Sequence, residues 1–315
     1  MSLTNDALVE RPSASLGDRL QLGALRGLLS VLRALRWKRA VAIGERVGAF
    51  GYRPLGVRRG TVERQIAAAF PQMPPDEVKR TAREAYEHLG RITIEAALLS
   101  DLGREGVLAL FDGADGWEHV ERAHAQGKGV IFATGHVGNW ELAGAYVAAH
   151  IPTDAIVRRM ANPLFDRWIT ETRERLGMRV VYDSEAVRRV PRALRENHAI
   201  GFLADQGVKG LASTFVPFFG RPAKTPRGPA VFALRFGSPV VFGAAIRQPN
   251  GRYRFVVEPV TVEETGDRDR DVDAIVARYT RILEEVVRRT PGQYFWHHRR
   301  WRRQPKDTPP ELREP

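Results

Sequence analysis

The chain has 315 residues, of which 43% are hydrophobic, which is enough for one large domain or for a domain with a helical extension. It contains no cysteine, which excludes disulfides and thiolate metal sites, and its eight histidines form no metal-binding pattern. The net charge of +12 favours an anionic partner such as lipid head groups, nucleic acid or an acidic protein.

The N-terminal region is predicted to be disordered over residues 1–17 and then helical and basic over residues 18–114. Its first residues lack the charged start and apolar core of a signal peptide. Residues 19–59 contain ten lysines and arginines and one acid, Glu45, a net charge of +9. No stretch of the chain is apolar enough to predict a transmembrane helix.

An amphipathic basic helix is predicted at the start of this region. Arginines recur every seven residues on one side of it, and leucines follow the helical spacing on another, namely Arg19, Arg26 and Arg33 against Leu25, Leu28, Leu29, Leu32 and Leu35. Such a helix can lie in a membrane interface or pack against its own domain, and the spacing alone does not choose between them.

Helices are predicted through residues 60–100, and from residue 115 helices alternate with strands. The predicted helices are 115–126, 139–149, 163–176, 185–197, 226–236 and 270–289, and the predicted strands are 129–134, 154–158, 179–182, 199–204, 239–246 and 252–259. The sequence PNG at 249–251 predicts a hairpin between the last two strands. We therefore expect an α/β domain over residues 115–303, with a mixed central sheet flanked by helices, and a loose tail over residues 304–315.

The most informative stretch is 136–141, HVGNWE, directly after the apolar strand 129–134. Asn139 is a good helix N-cap, so Glu141 is expected in the first turn of a helix and His136 in the turn before it. A charged Glu141 facing one ring nitrogen of His136 would leave the other free to accept a proton. The alternative is a turn histidine bonded to backbone beside an ordinary first-turn acid.

Other charged residues follow predicted strands or begin a predicted helix. Arg158 and Arg159 follow one strand, and Asp205 and Gln206 follow another, at the edge where α/β sheets bind ligands. Each could also be a solvated loop residue. Lys224 and Arg227 flank Thr225 and Pro226, which predict a helix start that could bind phosphate or simply be capped.

The C-terminal segment 291–303 is basic and aromatic and includes Arg299 and Arg300. It could bind phosphates or nucleic acid, lie at a membrane surface, or pack its aromatic residues on the core.

Taken in order, these motifs resemble the bacterial lipid A biosynthesis acyltransferases of the lauroyl and myristoyl type and the related mannoside acyltransferases. The resemblance covers about residues 20–303 and consists of GHVGNWE at 135–141, RRMANPLFD at 158–166, LADQ at 203–206, VPFFG at 216–220, TP at 225–226 and QYFWHHRRW at 293–301. It implies a glycerolipid-acyltransferase-like fold and transfer of a fatty acyl chain from acyl carrier protein or coenzyme A to a glycolipid hydroxyl. That reaction is expected at the cytoplasmic face of the inner membrane.

The resemblance also implies roles for particular residues. His136 is expected as the general base with Glu141 as its orienting partner. Arg158, Arg159, Asp205 and the Arg299–Arg300 pair are implied as substrate-site residues. Lys224, Arg227 and Gln206 are the further substrate-binding candidates of the sequence. The first helix is less hydrophobic than the family's usual anchor because Arg26 and Arg33 interrupt it, so peripheral attachment is expected.

The predicted chemistry needs no metal or organic cofactor. Backbone amides near 135–138, or an arginine, are expected to stabilise the oxyanion. The expected partners are an acyl donor carried by acyl carrier protein or coenzyme A, an anionic glycolipid acceptor and a membrane surface, and no nucleic acid. The alternatives are a lysophospholipid, mannoside or aminolipid acceptor and, from another class, a non-catalytic basic protein that binds membranes or nucleic acid.

Overall fold

The structure is a computed structural model that describes residues 14–207 and 210–315. Its helices are α1 (Leu16–Arg33), α2 (Trp37–Tyr52), α3 (Arg59–Ala69), α4 (Pro75–Leu98), α5 (Gly103–Leu108), α6 (Trp117–His124), α7 (Trp140–Ala148), α8 (Pro163–Arg175), α9 (Ala186–Arg195), α10 (Gly228–Phe236) and α11 (Arg268–Arg289). Its strands are β1 (Phe111–Asp115), β2 (Val130–Thr134), β3 (Thr153–Val157), β4 (Met178–Tyr182), β5 (Ala199–Leu203), β6 (Ser213–Phe218), β7 (Arg221–Pro226), β8 (Val240–Arg247) and β9 (Tyr253–Val260).

Seven strands form the central sheet in the order β1-β9-β8-β2-β5-β3-β4. The strands β8, β2, β5, β3 and β4 are parallel to one another, and β9 runs antiparallel to β8. The carboxyl ends of the parallel strands therefore lie at one edge of the sheet, which we call the carboxyl edge. The mixed α/β sheet and the hairpin at 249–251 are confirmed.

Helices cover both faces of the sheet, as the alternation along β2 requires. Ile131 and Ala133 face a core shared with α9, α10 and α11, whereas Val130 and Phe132 face a core shared with α6 and α7. Because both faces are buried, the central strands are apolar throughout, which is typical of parallel strands in α/β proteins.

The N-terminal helices are packed against the sheet domain rather than separated from it. Helix α2 crosses α4 so closely that a Cβ added to Gly90 would lie 2.0 Å from the carbonyl oxygen of Gly44. Only glycine permits backbones to approach to this degree. The buried carboxylate of Glu95 on α4 reaches the sheet, where it pairs with Arg247 at 2.5 Å and accepts a hydrogen bond from Tyr253.

The structure differs from the predicted elements in four places. Strand β1 precedes the predicted start of the sheet domain at residue 115, and the hairpin β6–β7 was not predicted at all. The predicted helix start at Thr225 and Pro226 is wrong, because residues 221–226 pair as a strand with 213–218 and the helix begins at Gly228. The tail folds back on the domain, since the Gln304 amide donates to the carbonyls of Pro222 and Leu312.

Two predictions for the N-terminal region can be placed only in part. Residues 1–13 of the predicted disordered stretch lie outside the described residues, and Ser15 caps α1 with a capping box to Asp18. In the described part of the chain, no helix combines the length and the apolar character needed to cross a bilayer.

Removing the Glu95 carboxylate should strongly destabilise the protein. Glu95→Ala leaves the partly buried Arg247 guanidinium without its carboxylate and removes the acceptor of Asn139 and Tyr253, which we expect to lower the free energy of unfolding by about 3–5 kcal/mol. The measurement is urea unfolding followed by tryptophan fluorescence. Glu285→Ala, which removes an exposed carboxylate of α11, should change it by less than about 0.5 kcal/mol. Equal losses in the two variants would contradict the proposed anchoring.

Candidate active site

The site lies at the carboxyl edge, where β2 and β5 run side by side. His136 follows β2 and Asp205 follows β5, and their pairing in register brings the two residues together. The His136 Nδ1 atom lies 2.7 Å from Asp205 Oδ1, and the His136 backbone amide donates to Asp205 Oδ2 at 3.0 Å. Both carboxylate oxygens are therefore committed to His136. The ring tautomer follows from this contact, because a carboxylate accepts and Nδ1 must donate.

Asp205 is buried but remains a carboxylate. Burial by itself would raise the pKa of Asp205, but the His136 ring, the His136 amide and the guanidinium of Arg300 hold that pKa well below its usual range. The lowered pKa means that Asp205 stabilises the fold above the unfolded-state pKa of an aspartate, about 3.9. This contribution is lost as the pH falls through the lower folded-state pKa.

Arg300 supports this arrangement from a buried position. Its guanidinium donates to the Lys224 carbonyl and to Thr225 Oγ1, both at 2.7 Å. Thr225 is thus a strand residue that holds an arginine rather than a helix cap. The predicted substrate-binding role of Arg300 is replaced by an internal one, because its side chain is committed to the hairpin β6–β7 beside Asp205.

Glu141 does not pair with His136. It lies in the first turn of α7, as predicted, with Asn139 as the N-cap, but its carboxylate forms a two-point ion pair with Arg173 of α8 at 2.6 and 2.9 Å. The Trp140 ring lies beside the His136 ring, with a centroid separation of 4.9 Å. The expectation that Glu141 orients His136 is corrected accordingly. Asp205 is the carboxylate that contacts the His136 ring, whereas Glu141 forms two parallel hydrogen bonds with the planar guanidinium of Arg173.

Two residues of α4 form hydrogen bonds with the turn that carries His136. The Gly138 carbonyl lies 3.0 Å from His88 Nε2, and Asn139 Nδ2 donates to Glu95 Oε2 at 2.9 Å. Burial lowers the pKa of His88 to about 4, so its ring is neutral near pH 7. His88 therefore donates from Nε2 to the carbonyl. Sequence reasoning missed these supports and Arg173, since nothing in the local sequence links them to the turn.

The remaining predicted site residues fall into two groups. Gln206 lies beside His136, with Nε2 3.3 Å from Nδ1, and Lys224 packs against Gly207 just beyond it. Arg158 and Arg159 lie at the neighbouring end of β3, where Arg158 pairs with Asp183 and Arg159 stacks over the Tyr182 ring. By contrast, Arg227 pairs with Asp269 and Asp273 on α11, and Arg299 pairs with Glu314 of the tail.

The aromatic residues of the C-terminal segment pack on the core. Trp296 and Trp301 are completely buried, and Phe295 lies beside the His136 ring with a centroid separation of 5.9 Å. The segment is also hydrogen-bonded to the turn that carries His136. The Phe295 amide donates to the His136 carbonyl, and the Gly138 amide donates to the Gln293 carbonyl.

An apolar cavity of about 90 Å³ lies between the sheet and α7. Its lining includes Phe132, Phe202 and Met178, and it also includes Trp140 and the Glu141–Arg173 pair. Within residues 14–207 and 210–315, no group of three potential metal ligands clusters closely enough to hold a metal ion.

This geometry defines a class of site. A histidine whose Nδ1 is fixed by a buried carboxylate presents Nε2 as a proton acceptor, which is the arrangement of a general base. The chain matches the bacterial lipid A biosynthesis acyltransferase family over residues 21–303 and therefore belongs to it. It is an acyltransferase, and the resemblance found in its motifs is confirmed.

Curated relatives agree with this assignment. The chain is 27% identical over 267 residues to a lipid A biosynthesis palmitoleoyltransferase of Escherichia coli (strain K12), covering 84% of this chain and 85% of the relative. It is 23% identical over 285 residues to a lipid A biosynthesis lauroyltransferase of the same organism, covering 90% and 92%. It is 27% identical over 226 residues to a phosphatidylinositol mannoside acyltransferase of Mycobacterium tuberculosis H37Rv, covering 70% of each.

Gly138 should be indispensable to the turn. It has a φ of +59°, and an added Cβ would lie 2.0 Å from the Ala245 carbonyl oxygen. We expect Gly138→Ala to lower the free energy of unfolding by about 2–5 kcal/mol, from backbone strain and overpacking together. Gly127 has a φ of +70° and no atom within 4 Å of an added Cβ, so Gly127→Ala should cost only about 1–2 kcal/mol. If chemical denaturation gives similar losses of unfolding free energy for the two variants, the close approach of Gly138 to Ala245 is unimportant.

Proposed function

We propose that this acyltransferase moves a fatty acyl chain from a thioester, carried by acyl carrier protein or coenzyme A, to a hydroxyl of a lipid A precursor. The observation that supports the mechanism is the 2.7 Å contact between His136 Nδ1 and Asp205 Oδ1. The acceptor hydroxyl gives its proton to His136 Nε2 as its oxygen attacks the thioester carbonyl carbon. The carbon–sulfur bond then breaks, and the thiolate takes the proton back from the imidazolium.

Asp205 has two roles in this reaction. It fixes the ring so that Nε2 faces the acceptor, and its charge stabilises the imidazolium that forms. General base catalysis of this kind contributes about 10²–10⁴-fold. The nucleophile comes from the substrate, so the mechanism requires no acyl-enzyme intermediate.

The sequence predicts either backbone amides of the turn or an arginine as oxyanion donors, and in this proposal the donor is instead the side chain of a glutamine. The amides of His136, Val137, Gly138 and Asn139 all donate within the protein. The side-chain amide of Gln206 lies beside the catalytic ring, and we assign it as the oxyanion donor.

The apolar cavity is our candidate for the hydrocarbon chain of the donor. Its lining is mainly apolar, and it includes Trp140, whose ring lies beside the His136 ring. The Glu141–Arg173 pair is part of its lining. A role for Glu141 in binding the donor, through Arg173, follows from that position.

The protein acts at the cytoplasmic face of the inner membrane in this proposal, attached peripherally through α1. Leu22, Leu29 and Leu32 of this helix pack on the domain, whereas Leu16, Leu20, Leu28 and Val31 are exposed. Packing on the domain and contact with a membrane are therefore compatible, because they use different sides of one helix.

Substitutions should separate the roles of the two carboxylates. In acyl transfer from radiolabelled acyl carrier protein to a tetra-acylated lipid A precursor, we expect His136→Ala to lose nearly all activity. Asp205→Asn should lower kcat by about 10²-fold or more, and Glu141→Gln should mainly raise KM for the donor. If Glu141→Gln lowers kcat as much as Asp205→Asn does, Glu141 meets His136 during turnover. A product on another lipid of a membrane extract, such as a mannoside, would change the acceptor and keep the mechanism.

Membrane attachment through α1 and the basic region that follows it should depend on ionic strength. Residues 19–59 have a net charge of +9, and salt screens exposed charges beyond about 8 Å at physiological strength. We expect binding to vesicles that contain anionic lipid to weaken clearly between low and high salt in a sedimentation assay. Vesicles of zwitterionic lipid provide the control. Binding that is equally strong at both salt concentrations would rule out the electrostatic part of the proposal.

A further inference from the structure

Exposed apolar side chains lie beyond the carboxyl ends of the parallel strands, at the edge of the sheet that also carries His136. Met160 follows β3, Val187 follows β4 and Leu211 follows β5, and their exposed fractions are 49%, 77% and 40%. Phe215 of β6, paired in register with Lys224, is 42% exposed. Single exposed apolar residues are common, but here exposed apolar residues follow three successive strands at one edge of the sheet, which is a pattern. We call these four residues the rim.

Cations accompany the rim residues. Residues 158–162 and 183–192 contain five arginines and two carboxylates, a net charge of +3. Met160 follows Arg159 directly, and Val187 precedes the exposed Arg188. Met160 and Val187 thus have a basic neighbour in the sequence and Phe215 has one across the hairpin, which is the composition of a surface that inserts apolar groups beneath anionic head groups.

The rim is continuous with the exposed side of α1. Asn162, which caps α8 in the loop of Met160, donates a hydrogen bond to the Gln21 side chain of α1 at 2.9 Å. The apolar side of α1 and the loops at the carboxyl edge therefore belong to one surface of the molecule.

From this placement we propose that the rim itself docks into an anionic lipid bilayer and brings the entrance of the His136 site to the lipid surface. The inference deepens the proposed function, on which it rests, because it makes the sheet edge as well as α1 a membrane contact. An acceptor lipid could then present its hydroxyl to His136 while its acyl chains stay in the bilayer.

A bilayer fits the rim better than a protein partner does. The four side chains lie on separate elements: Met160 and Leu211 on the loops after β3 and β5, Val187 in the first turn of α9 and Phe215 on β6. A stable protein interface needs roughly 1,200 Å² or more of complementary surface, whereas a bilayer accommodates isolated apolar groups without a matching shape.

The absence of cysteine from the sequence makes a direct test possible. Single cysteines at Met160, Val187, Leu20 and Gln126 can be labelled with an environment-sensitive fluorophore. Gln126 is the control, because it is exposed on the loop before β2, at the opposite edge of the sheet. With vesicles of mixed anionic and zwitterionic lipid, we expect a blue shift at Met160, Val187 and Leu20 and none at Gln126.

Three results would overturn the proposal. A blue shift confined to Leu20 would make α1 the membrane contact and leave the rim in water. A concentration-dependent shift at the rim without vesicles would identify a second copy of the chain as the occupant. A shift at the rim that requires an acidic carrier protein instead of lipid would identify a protein partner.

An activity measurement separates this proposal from the proposed function. Met160→Ser/Val187→Ser should lower the rate on acceptor embedded in vesicles by about tenfold and leave the rate on detergent-dispersed acceptor unchanged. The control variant Val47→Ser/Leu55→Ser removes two exposed apolar side chains outside the rim and should have a smaller effect. Equal rates of wild type and rim variant on both substrates would refute membrane docking of the rim. No transfer by the wild type to the detergent-dispersed acceptor would refute the proposed acyl transfer.

Discussion

The contact between His136 and Asp205 is the constraint on which the site depends. A carboxylate with so little access to water is costly to bury unless both of its oxygens accept hydrogen bonds. Here the imidazole and the backbone amide of one residue supply those donors, and Arg300 adds a favourable charge. The same bonds that satisfy the buried carboxylate also fix the imidazole. One set of contacts thus provides the buried carboxylate with hydrogen-bond donors and orients the ring of the proposed general base.

Adjacent parallel strands make this contact possible, and the N-terminal helices keep it in place. Strands β2 and β5 pair residue for residue, so His136 and Asp205, each two residues beyond its strand, emerge side by side. Helix α4 then supports the turn from the other side through His88 and Glu95. Helices that the sequence presents as a basic extension are therefore part of the structure that positions His136, the proposed general base.

Local patterns in the sequence predicted much of the fold, and the failures have physical causes. Apolar strands buried on both faces and well-capped helices were recognisable, including the N-cap at Asn139. The hairpin β6–β7 was not, because its strands contain Pro217, Pro222 and Pro226 and form a separate two-stranded sheet. Thr225 and Pro226 have the local signature of a helix start, but strand pairing and the bond from Arg300 to Thr225 outweigh that preference.

The site shows the same division between local and distant information. His136 and Asp205 were both identified as strand-end residues, but the resemblance implied that the nearer acid, Glu141, orients the histidine. Glu141 is the acid nearer to His136 along the chain. The sheet register nevertheless brings Asp205, which lies 69 residues away, into contact with the ring. Glu141 sits in the first turn of a helix, with the Trp140 ring beside His136, and Arg173 offers it a rigid two-point partner.

A carboxylate five residues after a histidine is therefore not sufficient to orient it. The strand register determines which acid pairs with the histidine, because it brings the residue that follows the neighbouring strand close to the ring nitrogen. The nearer acid is then free to pair with an arginine beside the apolar cavity. In this protein the two carboxylates of the site thus have separate environments: Asp205 contacts the His136 ring, and Glu141 is part of the wall of the cavity.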